Sequence, residues 1–289
     1  MLLRSEQFPA APYREILGME STLHHHWSFG SDLHKDTLTA CVFCRCCREV
    51  SFQKIPCKCR KLITKYFAAL ARPHTVAIET VGFYRWLWEL LEPVVEKPVL
   101  ADAAQARALA GRRLKTDREH AFNIAELLSA GRLPLSYAPP LSVQFLRDLT
   151  RHRNGFSRQH ARVLCRVKSI MNANNRLGPT RLETDGLIRY LKAQAEKLPT
   201  RHVAMLWQCV DQLALTERQI AEAERVIGEV VQREEFREVY TILTSFPGVA
   251  LVTAATVIAE VGDFRRFTQR KAIGRFAGLN PRVFASGGK

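Results

Sequence analysis

No part of this chain comes near the roughly 18 to 20 consecutive apolar residues that a bilayer span needs, and its N-terminus holds no continuous apolar signal segment. The expectation is a soluble, cytoplasmic protein with no membrane partner. Acid is also in short supply: 28 Asp and Glu stand against 43 Lys and Arg, a formal net charge of +15. An imbalance of that size points to a polyanionic partner, nucleic acid first. Cysteine is almost confined to one place, with six of the eight (Cys41, Cys44, Cys46, Cys47, Cys57, Cys59) inside residues 41–59. The C-x-x-C and C-x-C spacings invite a zinc reading. Structural zinc sites, however, usually present two separated pairs, whereas Cys41 lies in the alternating run 38–43 and Cys44 to Cys47 are crowded together. Reduced thiols around a hairpin are the expectation, rather than a disulfide framework. Apolar residues are not lacking. They make up 47% of 289 residues, enough to bury a core in one large domain or two to three ordinary ones.

Residues 1–26 show no clear period and read as an unstructured lead-in. From Trp27 the pattern gives strands at 27–33, 37–44 and 49–55, rich in Thr, Val and Phe. A helix follows at 60–71, with Leu62, Ile63, Tyr66, Phe67 and Leu70 at helical spacing and Pro73 as its stop. Then come a strand at 74–79, a helix at 83–91, a strand at 94–101 and a helix at 115–130 closed by Gly131, giving the order βββαβαβα. After Pro139-Pro140 the character changes to long helices. Residues 141–174 carry Leu146, Leu149, Phe156, Val163, Val167 and Ile170 on heptad-like positions, and 202–232 repeat the pattern with Val203, Leu206, Val210, Leu213, Ile220, Ile227 and Val231. Two such helices pair either as an antiparallel hairpin within the chain or between chains. The last segment reads as helix, tight Pro247-Gly248 turn, helix 251–261. Backbone N–H groups at such a turn can bind a phosphate, which makes Gly248 a candidate contact. The expected architecture is thus α/β plus all-α, divided into 27–140, a helical coiled-coil region 141–236 and a small helical domain 237–289.

Positive charge is uneven. Up to Pro140 there are 19 basic and 14 acidic residues; beyond it there are 24 and 14. Residues 141–182 hold nine Arg or Lys and a single acid, Asp148. A local excess of that size on one helix suits phosphate contact, with Arg147, Arg151, Arg158, Arg162, Arg166 and Lys168 as candidates. The first region places acids where a βββαβαβα sheet brings elements together. Asp32 ends the first strand, Glu79 ends the fourth, and Asp117 opens the last helix with Glu119 and His120 in the same turn. Hard oxygen ligands in that arrangement hold Mg²⁺ or Mn²⁺ for phosphodiester cleavage.

The strings Gly30-Ser31-Asp32-Leu33-His34-Lys35-Asp36, Ala77-Ile78-Glu79-Thr80-Val81-Gly82 and Lys115-Thr116-Asp117-Arg118-Glu119-His120-Ala121 resemble the N-terminal RuvC-like domain of the DEDD transposases. This is the family of Piv-type invertases and bridge-RNA-guided insertion-sequence recombinases. Four C-terminal strings are similar to the transposase domain of the same family: Phe246-Pro247-Gly248-Val249, Ala259-Glu260-Val261-Gly262-Asp263, Phe276-Ala277-Gly278-Leu279-Asn280-Pro281 and Ser286-Gly287-Gly288. The resemblance implies a ribonuclease-H-like domain whose Asp32, Glu79 and Asp117 bind Mg²⁺, a helical coiled-coil region, and a small domain whose Ser286 attacks the scissile DNA phosphate. It further implies DNA partners, in some members a structured guide RNA, and a homo-oligomer (dimer or tetramer) that assembles the two sites.

The sequence departs from the family pattern where His120 stands in place of a fourth acid, with imidazole as the replacement ligand. Ser31 stands where Ile is usual. The stop at Lys289, where members usually continue with a Gly-rich turn and a further helix, gives the expectation of a truncated copy. The alternatives to a recombinase are a junction-resolving nuclease that uses activated water and no serine, and an inactive nucleic-acid-binding remnant.

Overall fold

The computed structural model describes residues 26–110, 116–176 and 183–279. Residues 1–25 of the expected lead-in, Lys115 at the expected start of a helix, and Ser286 lie outside those residues. The chain forms two compact units, one up to Ala138 and one from Pro139.

The first unit is built on a mixed six-stranded sheet in the order β3-β2-β1-β4-β5-β6. The strands are β1 (Trp27–Leu33), β2 (Thr37–Cys44), β3 (Val50–Pro56), β4 (His74–Glu79), β5 (Lys97–Ala101) and β6 (Leu135–Ser136). β1, β2 and β3 form an antiparallel meander, β1, β4 and β5 run parallel, and β6 closes the far edge antiparallel to β5. β1 is the central strand and every residue in it is buried, as a strand covered on both faces requires. β3 is an edge strand, exposed at Val50, Phe52, Lys54 and Pro56, half-buried at Ser51 and Gln53 and buried at Ile55. The buried Ser31 hydroxyl is satisfied by donating to Ala77 O at 2.7 Å.

The two sheet faces differ in side-chain size. One carries Phe29, Leu33, Leu38, Val76, Ile78 and Leu100, and against it pack Ile63 and Phe67 of α1 (Arg60–Ala68) and Leu87 and Leu91 of α2 (Arg85–Leu91). The other carries small residues: Gly30, Cys41, Ala77 and Ala101. These meet Ala121, Ile124 and Ala125 of α4 (Asp117–Ser129), beside α3 (Ala103–Ala110). Small residues on both sides let α4 lie very close to the sheet. A Cβ built on Gly30 would stand 2.1 Å from Ala121 O and 2.6 Å from Ala125 N, so only glycine fits there.

The second unit is helical. α5 (Leu141–Ala173) and α7 (Thr200–Val231) pack antiparallel within the chain, one of the two arrangements that the heptad pattern allows. Val163, Val167 and Ile170 near the end of α5 pack with Leu206, Val210 and Leu213 near the start of α7. At the other end Val143 and Leu146 pack with Ile227, Val230 and Val231. α6 (Thr184–Gln194), for which the sequence carried no expectation, caps the first cluster with Leu187 and Leu191. α8 (Glu234–Thr244), α9 (Leu251–Val261) and α10 (Arg270–Phe276) complete the described chain. Phe236, Ala255, Ile258 and Ala259 share one core with the base of the hairpin, and the expected boundary at 236/237 falls inside α8.

Replacing Gly30 by Ala is expected to destabilise the first unit by more than the about 1–3 kcal/mol typical of core overpacking, because the clash is with backbone. Gly82→Ala, where an added Cβ meets nothing within 4 Å, serves as the control. Chemical unfolding monitored on both variants checks this; equal midpoints would contradict the close approach.

Candidate active site

Asp32 and Glu79 lie two residues beyond Gly30 and Ala77 on their strands, hence on the same small-residue face, at the C-terminal ends of neighbouring parallel strands. Both are buried, at 4% and 0% exposure. α4 supplies the third wall. Thr116 caps it by accepting from Glu119 N at 3.2 Å, which starts the helix at Asp117 and sets His120 in the next turn on the same face. The close seat at Gly30 carries that turn down to the strand ends.

The result is two overlapping sets of donor atoms that share Asp32. Asp32, Glu79 and His120 form one; Asp32, His34 and Asp117 form the other. His120 Nδ1 is 3.2 Å from Asp32 Oδ1, and its Nε2 is 3.5 Å from Glu79 Oε1. His34 Nε2 is 3.2 Å from both Asp32 Oδ2 and Asp117 Oδ1. Arg107 donates to Glu79 Oε1 at 3.3 Å, and Lys54 reaches Asp117 Oδ2 at 3.5 Å. Glu119 joins neither set. Sequence reasoning named Asp32, Glu79, Asp117 and His120, and the fold brings all four together. It missed His34, Lys54 and Arg107; only His34, two residues from Asp32, left a local signal.

Burial alone would push the Asp32 carboxyl up, but the hydrogen bond and charge of His120, followed by those of His34, outweigh it and hold it below the ordinary carboxylate value. The Asp32 hydrogen bond raises His120 above the usual histidine value; burial opposes this, and the Glu79 and Asp32 charges reinforce it. Glu79 Oε2 and His120 Nε2 are among the buried polar atoms here that have no hydrogen-bond partner. Three carboxylates, an imidazole and an orphaned buried acceptor suit a hard divalent cation. The site therefore fits a divalent metal on the chemistry of its donors.

A cavity of about 380 Å³ adjoins Asp117, lined by Thr39, Phe52, Gln53, Lys54, Thr116, Asp117 and Arg118. The Arg118 guanidinium lies over the Phe52 ring at 5.7 Å. Two cations and an aromatic ring beside the acids make a groove suited to a phosphodiester strand and its bases.

In the second unit the basic face of α5 is narrower than the sequence implies. Arg147 is pinned, donating to Ala259 O at 2.9 Å and Glu260 O at 3.3 Å, and so satisfies the end of α9. Arg151 makes a bidentate pair with Glu260, both bonds 2.8 Å, and Arg153 pairs with Glu224. Arg166 donates to Gln212 Oε1 at 3.4 Å while remaining exposed. Arg158, Arg162 and Lys168 are exposed on the same helix. Gly248 adopts φ +82° in the turn before α9, a conformation that favours glycine. Ser286, the expected nucleophile, lies outside the described residues.

No helix among the described residues is long and apolar enough to cross a membrane. A mixed α/β sheet with carboxylates at two parallel strand ends and at the start of the crossing helix is consistent with the ribonuclease-H-like class of metal-dependent nucleases. Residues 29–174 match the DEDD transposase family of the IS110 type, and residues 240–289 match the family described as transposase IS116/IS110/IS902. The chain belongs to the IS110-type transposase family. It is 31% identical over 172 residues to the Sinorhizobium fredii protein named "Putative transposase y4qE", an alignment covering 59% of this chain and 40% of that protein.

The opposed shifts of Asp32 and His120 give a pH signature in chelator. The His120 contribution is complete below its unfolded value and lost as pH rises through its raised folded value. The Asp32 contribution is complete above its unfolded value and lost as pH falls through its depressed folded value. Asp32→Asn should therefore lower the melting temperature most between those two limits, with the deficit fading on either side. A deficit independent of pH would contradict the ion pair.

Proposed function

We propose that this chain is a DNA recombinase that mobilises an insertion sequence by metal-assisted strand cleavage and transfer. The observation that carries the reading is the convergence of Asp32, Glu79, Asp117 and His120 beside a groove lined by Lys54 and Arg118. Asp32, Glu79, Asp117 and His120 would hold Mg²⁺ or Mn²⁺, which when bound activates the attacking oxygen and stabilises the departing one. Lys54 and Arg118 hold the phosphate backbone, and Phe52 supplies a stacking surface for a base. Residues 27–140 form the nuclease domain on this reading, 141–236 the helical region and 237–289 the transposase domain. Ser286, within the family match at 240–289, is the nucleophile. Its Oγ–P bond forms as a sugar P–O bond breaks; the hydroxyl proton leaves to a base and the departing sugar oxygen gains one, so the backbone bond is kept as a phosphoserine ester.

DNA ends and target are the partners. The exposed Arg158, Arg162 and Lys168, with Arg166, suit a structured guide RNA equally, since backbone charge is common to both. The turn at Gly248 offers backbone N–H groups to a phosphate. A homo-oligomer, dimer or tetramer, brings the carboxylate site of one subunit to the serine of another subunit.

With cognate element ends and Mg²⁺, Asp32→Ala should abolish strand cleavage while DNA binding is retained. Ser286→Ala should abolish the covalent protein–DNA adduct. Cleavage without any adduct in the parent chain would instead indicate a water-using nuclease, and binding without cleavage an inactive remnant.

Arg158→Ala with Arg162→Ala should weaken DNA binding and flatten its salt slope by about one unit per lost phosphate contact, with little effect on melting. Arg147→Ala should do the reverse, lowering the stability of the helical unit by roughly 1–3 kcal/mol through the orphaned carbonyls of α9. Salt titrations and thermal melts on both variants separate the two roles; equal salt slopes in all chains would leave the exposed arginines without a phosphate contact.

A further inference from the structure

The β2–β3 connection lies at the other end of β2 from the carboxylates: Cys44 pairs with Trp27, whereas Asp32 pairs with Thr39. Cys44 N donates to Glu49 O at 3.0 Å and closes the connection. Within it Arg48 adopts φ 58°, left-handed backbone that a residue with a Cβ seldom takes. Around this curl the sulfurs of Cys44, Cys46 and Cys47 all lie within 4.8 Å of one another. Cys44 is buried against the apolar core, while Cys46 and Cys47 are exposed at the mouth of the turn. Glu49 Oε2 stands 3.9 Å from Cys47 Sγ. Cys41 takes no part, because it faces α4 on the opposite side of β2.

We propose that this turn is a second metal site, in which zinc is held by the thiolates of Cys44, Cys46 and Cys47, with the Glu49 carboxylate or a water as fourth ligand. Soft sulfur donors select zinc over magnesium, so the ion differs in class from the one suited to the carboxylate site. Tetrahedral zinc with bonds of about 2.3 Å sets its sulfurs roughly 3.8 Å apart. The Cys44 and Cys46 sulfurs, 2.7 Å apart, must therefore open, which the exposed Cys46 side chain can do by rotation. Three thiolates around one dication leave a net negative charge, and Arg45 and Arg48 lie in the same turn to offset it. The spacing alone lacks a second pair; the folded turn gathers three sulfurs and sets Glu49 beside Cys47. The ion would fix the turn that joins an interior strand to the edge strand bearing Phe52 and Lys54.

The test uses the full chain purified in reductant without added zinc. Metal analysis should find about one zinc per chain. The metal should be lost in the Cys46→Ser/Cys47→Ser double variant and retained in Asp32→Asn. Independently of any variant, cobalt substitution of the parent chain should give thiolate-to-cobalt charge-transfer absorption. Zinc content unchanged by the double cysteine variant would overturn the proposal. So would zinc lost in Asp32→Asn alone, or a parent chain with no zinc and no cobalt–thiolate band.

Discussion

The closeness of α4 to the central strand is the constraint on which the rest of the first unit depends. Gly30 permits it, and Cys41, Ala77, Ala101, Ala121 and Ala125 extend the same smallness around it. Packing of this kind contributes less apolar area per residue than the opposite face, where Phe29, Phe67, Leu87 and Leu91 interlock. The division is therefore functional as well as structural. One face holds the fold together by bulk, and the other gives up bulk so that a helix N-terminus can be brought to two strand ends.

Concentrating three carboxylates at those ends carries an electrostatic cost, which the protein offsets from its own side chains. His34 and His120 lie against Asp32, Arg107 against Glu79 and Lys54 against Asp117. The compensation is incomplete, since Glu79 Oε2 is left buried without a partner. On the proposed reading a proton on His120 and a divalent metal compete for the Asp32 and Glu79 carboxylates.

Much of this was legible in the sequence because it is local. Strand alternation, proline stops and Gly131 mark β1 to β5 and α4 within a residue or three, and the acids stand out for ending apolar runs. What was not legible depended on distance. α3 is hidden because an Ala-rich octapeptide shows little apolar periodicity, and with it went Arg107. Heptads report that a helix has a partner, not which one, so the hairpin stayed open until the two shared clusters showed it. Arg147 and Arg151 looked like phosphate contacts because Glu260 lies more than a hundred residues away.

The hairpin held at both ends has a metrical consequence. α5 is packed at its base through Val143 and Leu146 and at its far end through Ile170 and Met171, so it cannot readily bend between them. Positions 158, 162 and 166 each advance about 6 Å along its axis. Two nucleotides on one strand of a duplex advance about 6.8 Å. Over three residues the two rulers drift apart by less than 2 Å, so a straight backbone laid along this helix would keep step with its cations, and a sharply bent one would not.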